Sequence, residues 1–137
     1  MLFSRDVQKI SLARETFKSI STDEVNDYFH QYLEIVNLWI KNDLKNLLNK
    51  LELIIKDNPK DIFAIRLFHF NNIFLGIDSK FLNKHEEIIS KWSENDQHYN
   101  LLLGMTSYAF EENNIIDKAK LLAVSYTHLR AHETPVN

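Results

Sequence analysis

Histidines offer the first candidates for chemistry in this chain. Residues 85–89 read HEEII and begin like the H-E-x-x-H motif, in which two histidines one helical turn apart bind zinc. Ile89 stands where the second histidine ligand must be, so the motif is incomplete. We therefore predict no metal ligand and no catalytic residue in this stretch. We expect His85 to lie half-buried on an apolar helix face.

A second candidate is a polar strip on a helix that is otherwise apolar. Arg66, His69 and Asn72 recur at three-residue spacing, which places them along one side of a helix. Two interpretations stay open for them. The strip lines a groove that contacts a protein or peptide partner, or His69 is a core histidine whose ring bonds to a neighbouring carbonyl.

Several classes of function are excluded by composition. Two glycines, Gly76 and Gly104, cannot form a glycine-rich phosphate loop, and the absence of cysteine rules out thiolate sites and disulfides. A net charge of -3 argues against a nucleic-acid partner. No apolar run approaches the ~20 residues that cross a membrane. We expect no cofactor, no metal, no membrane contact and a cytoplasmic location.

The same composition predicts an all-α fold. Glycine and proline number two each, and apolar residues recur at helical spacing through most of the chain. Ser21 and Glu24 form a capping box, which predicts a second helix from about Thr22. Pro59 ends the third helix, because proline disfavours helix in the residue before it. Later helices are expected to be capped or closed by Asp61, Gly76, Asp78 or Ser79, and Asp96.

The apolar stripes predict which side of each helix is buried. Short connections make consecutive helices antiparallel neighbours, so each stripe is expected to meet the next helix. The second helix should turn inward Val25, Phe29, Leu33, Val36 and Ile40. The third should turn inward Leu44, Leu47, Leu48, Leu51, Ile54 and Ile55. The expected common layer consists of Leu47, Leu51, Phe68, Leu103 and Phe110.

Spacing around Pro59 is typical of tetratricopeptide repeats. In the second helix of that repeat, packing residues stand twelve, eight and five places before a proline; here these are Leu47, Leu51 and Ile54. The run LLLG, ending at Gly104, resembles the Leu-Gly of the repeat's first helix, where glycine lets two backbones approach. Such helix pairs stack side by side.

Two longer runs resemble one family. LELIIKDNPKDIFAIRLFHFNNIFLG and LLLGMTSYAFEENNIIDKAKLLA are similar to the tetratricopeptide repeat protein 38 family, and the resemblance covers about Asp23 to Leu122. It implies stacked antiparallel helix pairs in a right-handed α-solenoid segment of about seven helices. It also implies an early segment of a chain normally several times longer. His69 aligns with a histidine of that family.

The last residues differ in character from the rest. VSYTHLRAHET matches the translation of one reading frame of a transposase-based sequencing adapter. We therefore expect residues 1–123 to be an incomplete helical-repeat domain and residues 124–137 an artefactual tail. His128 and His132 are then accidental, despite a spacing that suits zinc. We expect Pro135 to oppose a long helical extension and Thr134–Asn137 to make few contacts.

The favoured function is a non-enzymatic scaffold. Stacked helix pairs present a groove, and Arg66, His69 and Asn72 are the candidates for contacting a protein or peptide partner there. The alternative is a non-catalytic segment of a larger enzyme, whose active-site residues lie further along the chain.

Overall fold

The described part of the chain is helical. The computed structural model describes residues 7–19, 26–76 and 78–133, without the side chains of residues 116 and 130–133. Within these ranges it contains seven α-helices and no β-strand, which confirms the all-α class. The helices are α1 (Val7–Lys18), α2 (Asp27–Ile40), α3 (Leu44–Asp57), α4 (Ile62–Leu75), α5 (Ser79–Ser90), α6 (Tyr99–Glu112) and α7 (Ile116–Glu133).

The chain divides into two compact units. The first comprises Met1–Asp57 and the second Asn58–Asn137. In the first unit α1 contacts α2, and α2 contacts α3; in the second, α5 contacts α6, and α6 makes its most extensive contact with α7. Short connections account for these contacts, because a helix joined to the previous one by a few residues can fold back against it.

Two of the predicted caps are confirmed in the second unit. The Asp61 carboxylate accepts a hydrogen bond from the backbone N–H of Ala64 at 3.1 Å, at the start of α4. Asp78 does the same for Phe81 at 2.9 Å, at the start of α5. Each aspartate satisfies a backbone donor that the first helical turn leaves unpaired. Between them, Gly76 ends α4 with φ +99°, a backbone conformation that favours glycine.

The start and the inward face of α2 differ from the prediction. The helix begins at Asp27, where Asn26 accepts a hydrogen bond from the Phe29 N–H at 3.1 Å. The predicted capping box and Val25 lie outside the described residues. Phe29 is 56% exposed, whereas Ile35 is 1% exposed. The prediction is wrong at Phe29, because periodicity shows where apolar residues cluster but not which side of the helix meets a neighbour.

The predicted role of Asp96 is also wrong. Its carboxylate accepts a hydrogen bond from the Ser93 N–H at 2.8 Å and forms an ion pair with Lys60 at 2.9 Å. It therefore organises the loop before α6 instead of capping that helix. α6 follows His98, which has φ +68° and no side-chain capping bond.

The predicted buried stripe of α3 is confirmed for four of its six residues, whereas Leu44 and Leu48 are half-buried. Leu47, Leu51, Ile54 and Ile55 are buried, which fits four apolar residues on one side of an amphipathic helix. The three expected core residues of the second unit are buried as well: Phe68, Leu103 and Phe110, none more than 3% exposed.

The packing of α6 on α7 does not need a glycine for close backbone approach. The Ser107 hydroxyl donates a hydrogen bond to the Ala119 carbonyl at 2.9 Å, which joins the two helices. A Cβ added at Gly104 would meet the ring of Tyr126, with the nearest atom at 3.6 Å. That is ordinary van der Waals contact with a side chain. The expectation that Gly104 lets two backbones approach is therefore wrong here.

Helix α7 continues across the boundary expected after Ala123. It runs without a break to Glu133, so the expectation of little helical extension is wrong. Val124 is 68% exposed, Tyr126 is half-buried, and no side chain of residues 124–129 is buried. Thr134–Asn137 lie outside the described residues. The foreign origin of residues 124–137 stays a prediction.

Candidate functional site

Helices α4 and α5 bring two histidines together inside the second unit. Nδ1 of His69 lies 3.0 Å from Nε2 of His85, within hydrogen-bonding distance. The side chains are 3% and 0% exposed, so both rings belong to the core. The prediction that His85 is half-buried is therefore wrong.

Aromatic rings form much of the surroundings of this pair. The Phe81 ring stands at 90° to the His85 ring, with centroids 4.5 Å apart, and lies 5.7 Å from the His69 ring. Phe70 and Tyr108 approach His69 edge-on, at 5.7 and 6.0 Å. Such edge-to-face contacts stabilise packed rings without offering an ion any charged partner.

The pair can share only one hydrogen atom. A neutral imidazole has one N–H donor and one bare acceptor nitrogen, so either His69 donates to His85 or the reverse. Both arrangements leave Nδ1 of His85 without a partner. It is the single buried side-chain nitrogen or oxygen in the described part of the chain that has no hydrogen bond. A buried polar atom of this kind is rare in folded proteins.

Burial keeps both histidines neutral near pH 7. Loss of hydration lowers the pKa of His69 from 6.5 to about 4. The pKa of His85 falls further, to about 3, first because of burial and then because a charge on His69 repels a charge on His85. The apolar environment thus favours the uncharged form of each ring.

Two neutral imidazoles could in principle be metal ligands. A structural zinc ion takes four ligands, and a metal-bound histidine usually donates its other N–H to an acceptor. Across residues 7–19, 26–76 and 78–133, no group of three His, Cys, Asp or Glu side chains is placed to hold a metal ion. Nδ1 of His85 also lacks an acceptor. The pair is therefore better described as a structural contact than as a metal centre.

The predicted polar strip is not brought onto one exposed surface. Arg66 is exposed, Asn72 is half-buried and His69 is buried. The Asn72 side-chain amide donates to the Phe68 carbonyl at 2.8 Å, one turn earlier in the same helix. The interpretation of His69 as a core histidine agrees with its burial, although its partner is a second histidine and not a carbonyl. A partner groove at these residues stays a prediction.

The sequence contains a signal for the histidine pair. His69 lies on a helix that is apolar on several sides, and His85 lies between Phe81 and Ile88 on the apolar face of α5. Two histidines on facing apolar stripes could have been paired, since a buried polar group needs a partner. The rotation of the two helices about their axes is not predictable from periodicity, so the contact itself could not be predicted.

The exposed side of α4 carries one arginine and two phenylalanines. Arg66 is the one charged residue of this helix, and its guanidinium lies 5.6 Å from the centre of the Phe70 ring. Phe63 and Phe74 are 54% and 56% exposed. A cation over an aromatic ring is weakly stabilised and stays available for a further charged partner.

These observations define an all-helical protein with a buried histidine pair and an arginine exposed on an apolar helix. No family model matches the chain. No solved structure matches it either. No described helix is long and apolar enough to cross a lipid bilayer. The resemblance to the tetratricopeptide repeat protein 38 family therefore stays a prediction.

Proposed function

We propose that this chain is a segment of a tetratricopeptide-like, right-handed helical-repeat scaffold that binds a protein or peptide partner. The contacts of α1 with α2, α2 with α3, α5 with α6 and α6 with α7 support a stacked-pair architecture. The spacing of Leu47, Leu51 and Ile54 before Pro59 supports the same assignment. Membership of the tetratricopeptide repeat protein 38 family and a cytoplasmic location belong to this proposal.

The observation that carries the binding role is the position of Arg66. It is exposed on α4 and forms no ion pair with any carboxylate in the described part of the chain. Phe63 and Phe74 lie on the same side of the helix and keep more than half of their surface exposed. A helix that is apolar all round is usually covered, so an exposed charge among exposed rings supports the proposal of a partner surface here.

Arg66 also defines the chemistry of that partner. A guanidinium held over a ring presents its N–H donors in a fixed plane, which suits a carboxylate. The rings beside it suit apolar side chains. We therefore expect a peptide that places Asp, Glu or a terminal carboxylate next to Leu, Ile or Phe.

Selection from a random peptide library, displayed on phage and panned against the whole chain, tests this proposal. Binding of the selected synthetic peptides is then measured by fluorescence anisotropy. Arg66→Gln should weaken binding about tenfold or more, since a charged hydrogen bond contributes about 1.5–3 kcal/mol. Lys56→Gln, which removes an exposed charge from α3, is the matched control and should leave the affinity unchanged.

Two results would count against the proposal. One is that selection yields no peptide that binds. The other is that the selected peptides lack carboxylates and bind the Arg66→Gln variant as tightly as the parent. The alternative function is that of a segment from a larger enzyme. The histidine pair does not support it, because both rings are too buried to reach a substrate.

A further inference from the structure

We propose that His69 and His85 form an acid-sensitive latch between α4 and α5, closed while the pair is neutral and opened when both rings are protonated. The contact joins the two helices through side chains that are 3% and 0% exposed. It does not depend on the partner-binding role proposed for Arg66.

The 3.0 Å separation of the two nitrogens limits how many protons the pair can hold. A first added proton binds the bare outer nitrogen of the ring that donates, and the N–H···N bond between the rings survives. A second proton must bind the inner acceptor nitrogen. It would place two N–H donors face to face, with two positive charges in contact. The doubly protonated pair must therefore separate.

The surroundings offer no compensation for these charges. From α6 the titratable group that faces the pair is Tyr108, whose ring centre is 6.0 Å from that of His69. On α4 the charged group is Arg66, a cation that lies one turn before His69. The unpaired Nδ1 of His85 shows that no acceptor is placed to receive an added proton there.

Two carboxylates lie close to the histidine pair in sequence, and both form ion pairs with lysines. Glu87 lies between Lys84 and Lys91 on the surface of α5, at 3.2 Å from each. Glu86 pairs with Lys118 of α7. Burial, and for His85 the charge of its neighbour, are the causes that lower the pKa values of the pair, and no carboxylate opposes them.

Opening of the latch should loosen the aromatic packing between α4 and α5. Phe68 and Phe81 contact each other beside the pair, with ring centres 6.1 Å apart. Trp92 follows α5 and donates a hydrogen bond to the Pro59 carbonyl, just before α4. Because Trp92 is 8% exposed, its fluorescence should report separation of the two helices.

The test follows Trp92 emission between pH 7.5 and pH 3 in the whole chain with Trp39→Phe, which leaves one tryptophan. We expect a red shift on acidification. The double variant His69→Leu/His85→Leu replaces the pair with apolar groups of similar size, and its red shift should disappear or move at least one pH unit lower. His98→Asn removes an exposed histidine and should behave as the parent does.

An equal red shift at the same pH in the parent and the double variant would overturn the latch. If circular dichroism shows that the double variant is unfolded at pH 7.5, nitrogen NMR of the parent's histidine rings decides instead. Protonation of both rings should coincide with the change in Trp92. Protonation of both rings with no change in Trp92, or the change with both rings still neutral, would overturn the proposal.

Discussion

The indole N–H of Trp92 donates a hydrogen bond of 2.7 Å to the carbonyl oxygen of Pro59, 33 residues earlier in the chain. Pro59 precedes α4 and Trp92 follows α5, so this bond joins the two ends of the segment that contains both histidines. The Lys60–Asp96 ion pair lies beside it on the surface. One part-buried hydrogen bond and one exposed ion pair thus join the same two parts of the chain.

Loss of the Trp92 hydrogen bond should be measurable. Trp92→Phe keeps an aromatic ring but leaves the Pro59 carbonyl without its donor, and we expect the free energy of unfolding to fall by about 1–3 kcal/mol. Urea unfolding followed by circular dichroism measures it. Lys60→Gln, which breaks the neighbouring exposed ion pair, should cost less than about 1 kcal/mol. An equal loss in both variants would contradict the larger contribution assigned to the Trp92 hydrogen bond.

Leu51 and Leu53 make a matched pair on α3. Leu51 is 0% exposed and Leu53 is 57% exposed. Leu51→Ala should lower the free energy of unfolding by about 2–5 kcal/mol, because it removes buried methyl groups and leaves a cavity. Leu53→Ala should change it by less than about 0.5 kcal/mol. Chemical denaturation of the two variants checks the difference, and a loss at Leu51 within experimental error would place that side chain at the surface.

The two glycines should respond to alanine in opposite directions. Gly104→Ala should raise the free energy of unfolding by about 0.5–1 kcal/mol. The added methyl makes ordinary van der Waals contact with Tyr126, and alanine has fewer backbone conformations than glycine in the unfolded chain. Gly76→Ala should lower it by about 1 kcal/mol or more, because φ +99° strains any residue with a Cβ. Thermal denaturation compares them. Destabilisation by Gly104→Ala would mean that the contact with Tyr126 is tighter than the structure indicates.

Stability should fall as pH drops through the acidic range. Above the free-histidine pKa of 6.5, neither the folded nor the unfolded chain protonates these histidines, so their full contribution is present. Below it the unfolded chain binds protons, whereas folded His69 and His85 do so only near pH 4 and pH 3. The free energy of unfolding therefore declines between pH 6.5 and pH 3.

Each pKa unit of difference is worth about 1.4 kcal/mol, so a total loss of at least about 2 kcal/mol is expected. Urea unfolding at pH 7 and pH 4 measures it, with His98→Asn as the control that keeps the pair. The His69→Leu/His85→Leu variant should lose less stability than the parent over this range. An identical loss would assign the acid sensitivity to other groups.

Removal of residues 123–137 should have a small effect. A chain that ends at Leu122 loses the half-buried Tyr126, but it loses no fully buried side chain from residues 124–129. We expect the melting temperature to change by a few degrees, since about 1 kcal/mol shifts it by roughly 2–8 °C in domains of 60–250 residues. Differential scanning calorimetry of the two chains is the measurement. Unfolding of the shortened chain would show that the tail is part of the fold.

The sequence by itself determined the features that depend on neighbours a few residues apart. Asp61 and Asp78 were identifiable as caps because a cap satisfies a donor three residues away. The four buried residues of the six-residue stripe predicted for α3 were identifiable because they share one side of a single helix. In both cases the partner is fixed by helix geometry, so no knowledge of other elements is needed.

Tertiary structure alone decided which sides of the helices meet. Phe29 and Ile35 are both apolar residues of α2, yet one is exposed and the other buried, because the neighbouring helix selects the side. His69 and His85 each lay on a recognisable helix, but their 3.0 Å contact needs a particular rotation and register of α4 against α5. Those two quantities depend on how many side chains fill the space between helices at once, and periodicity within one helix contains no record of them.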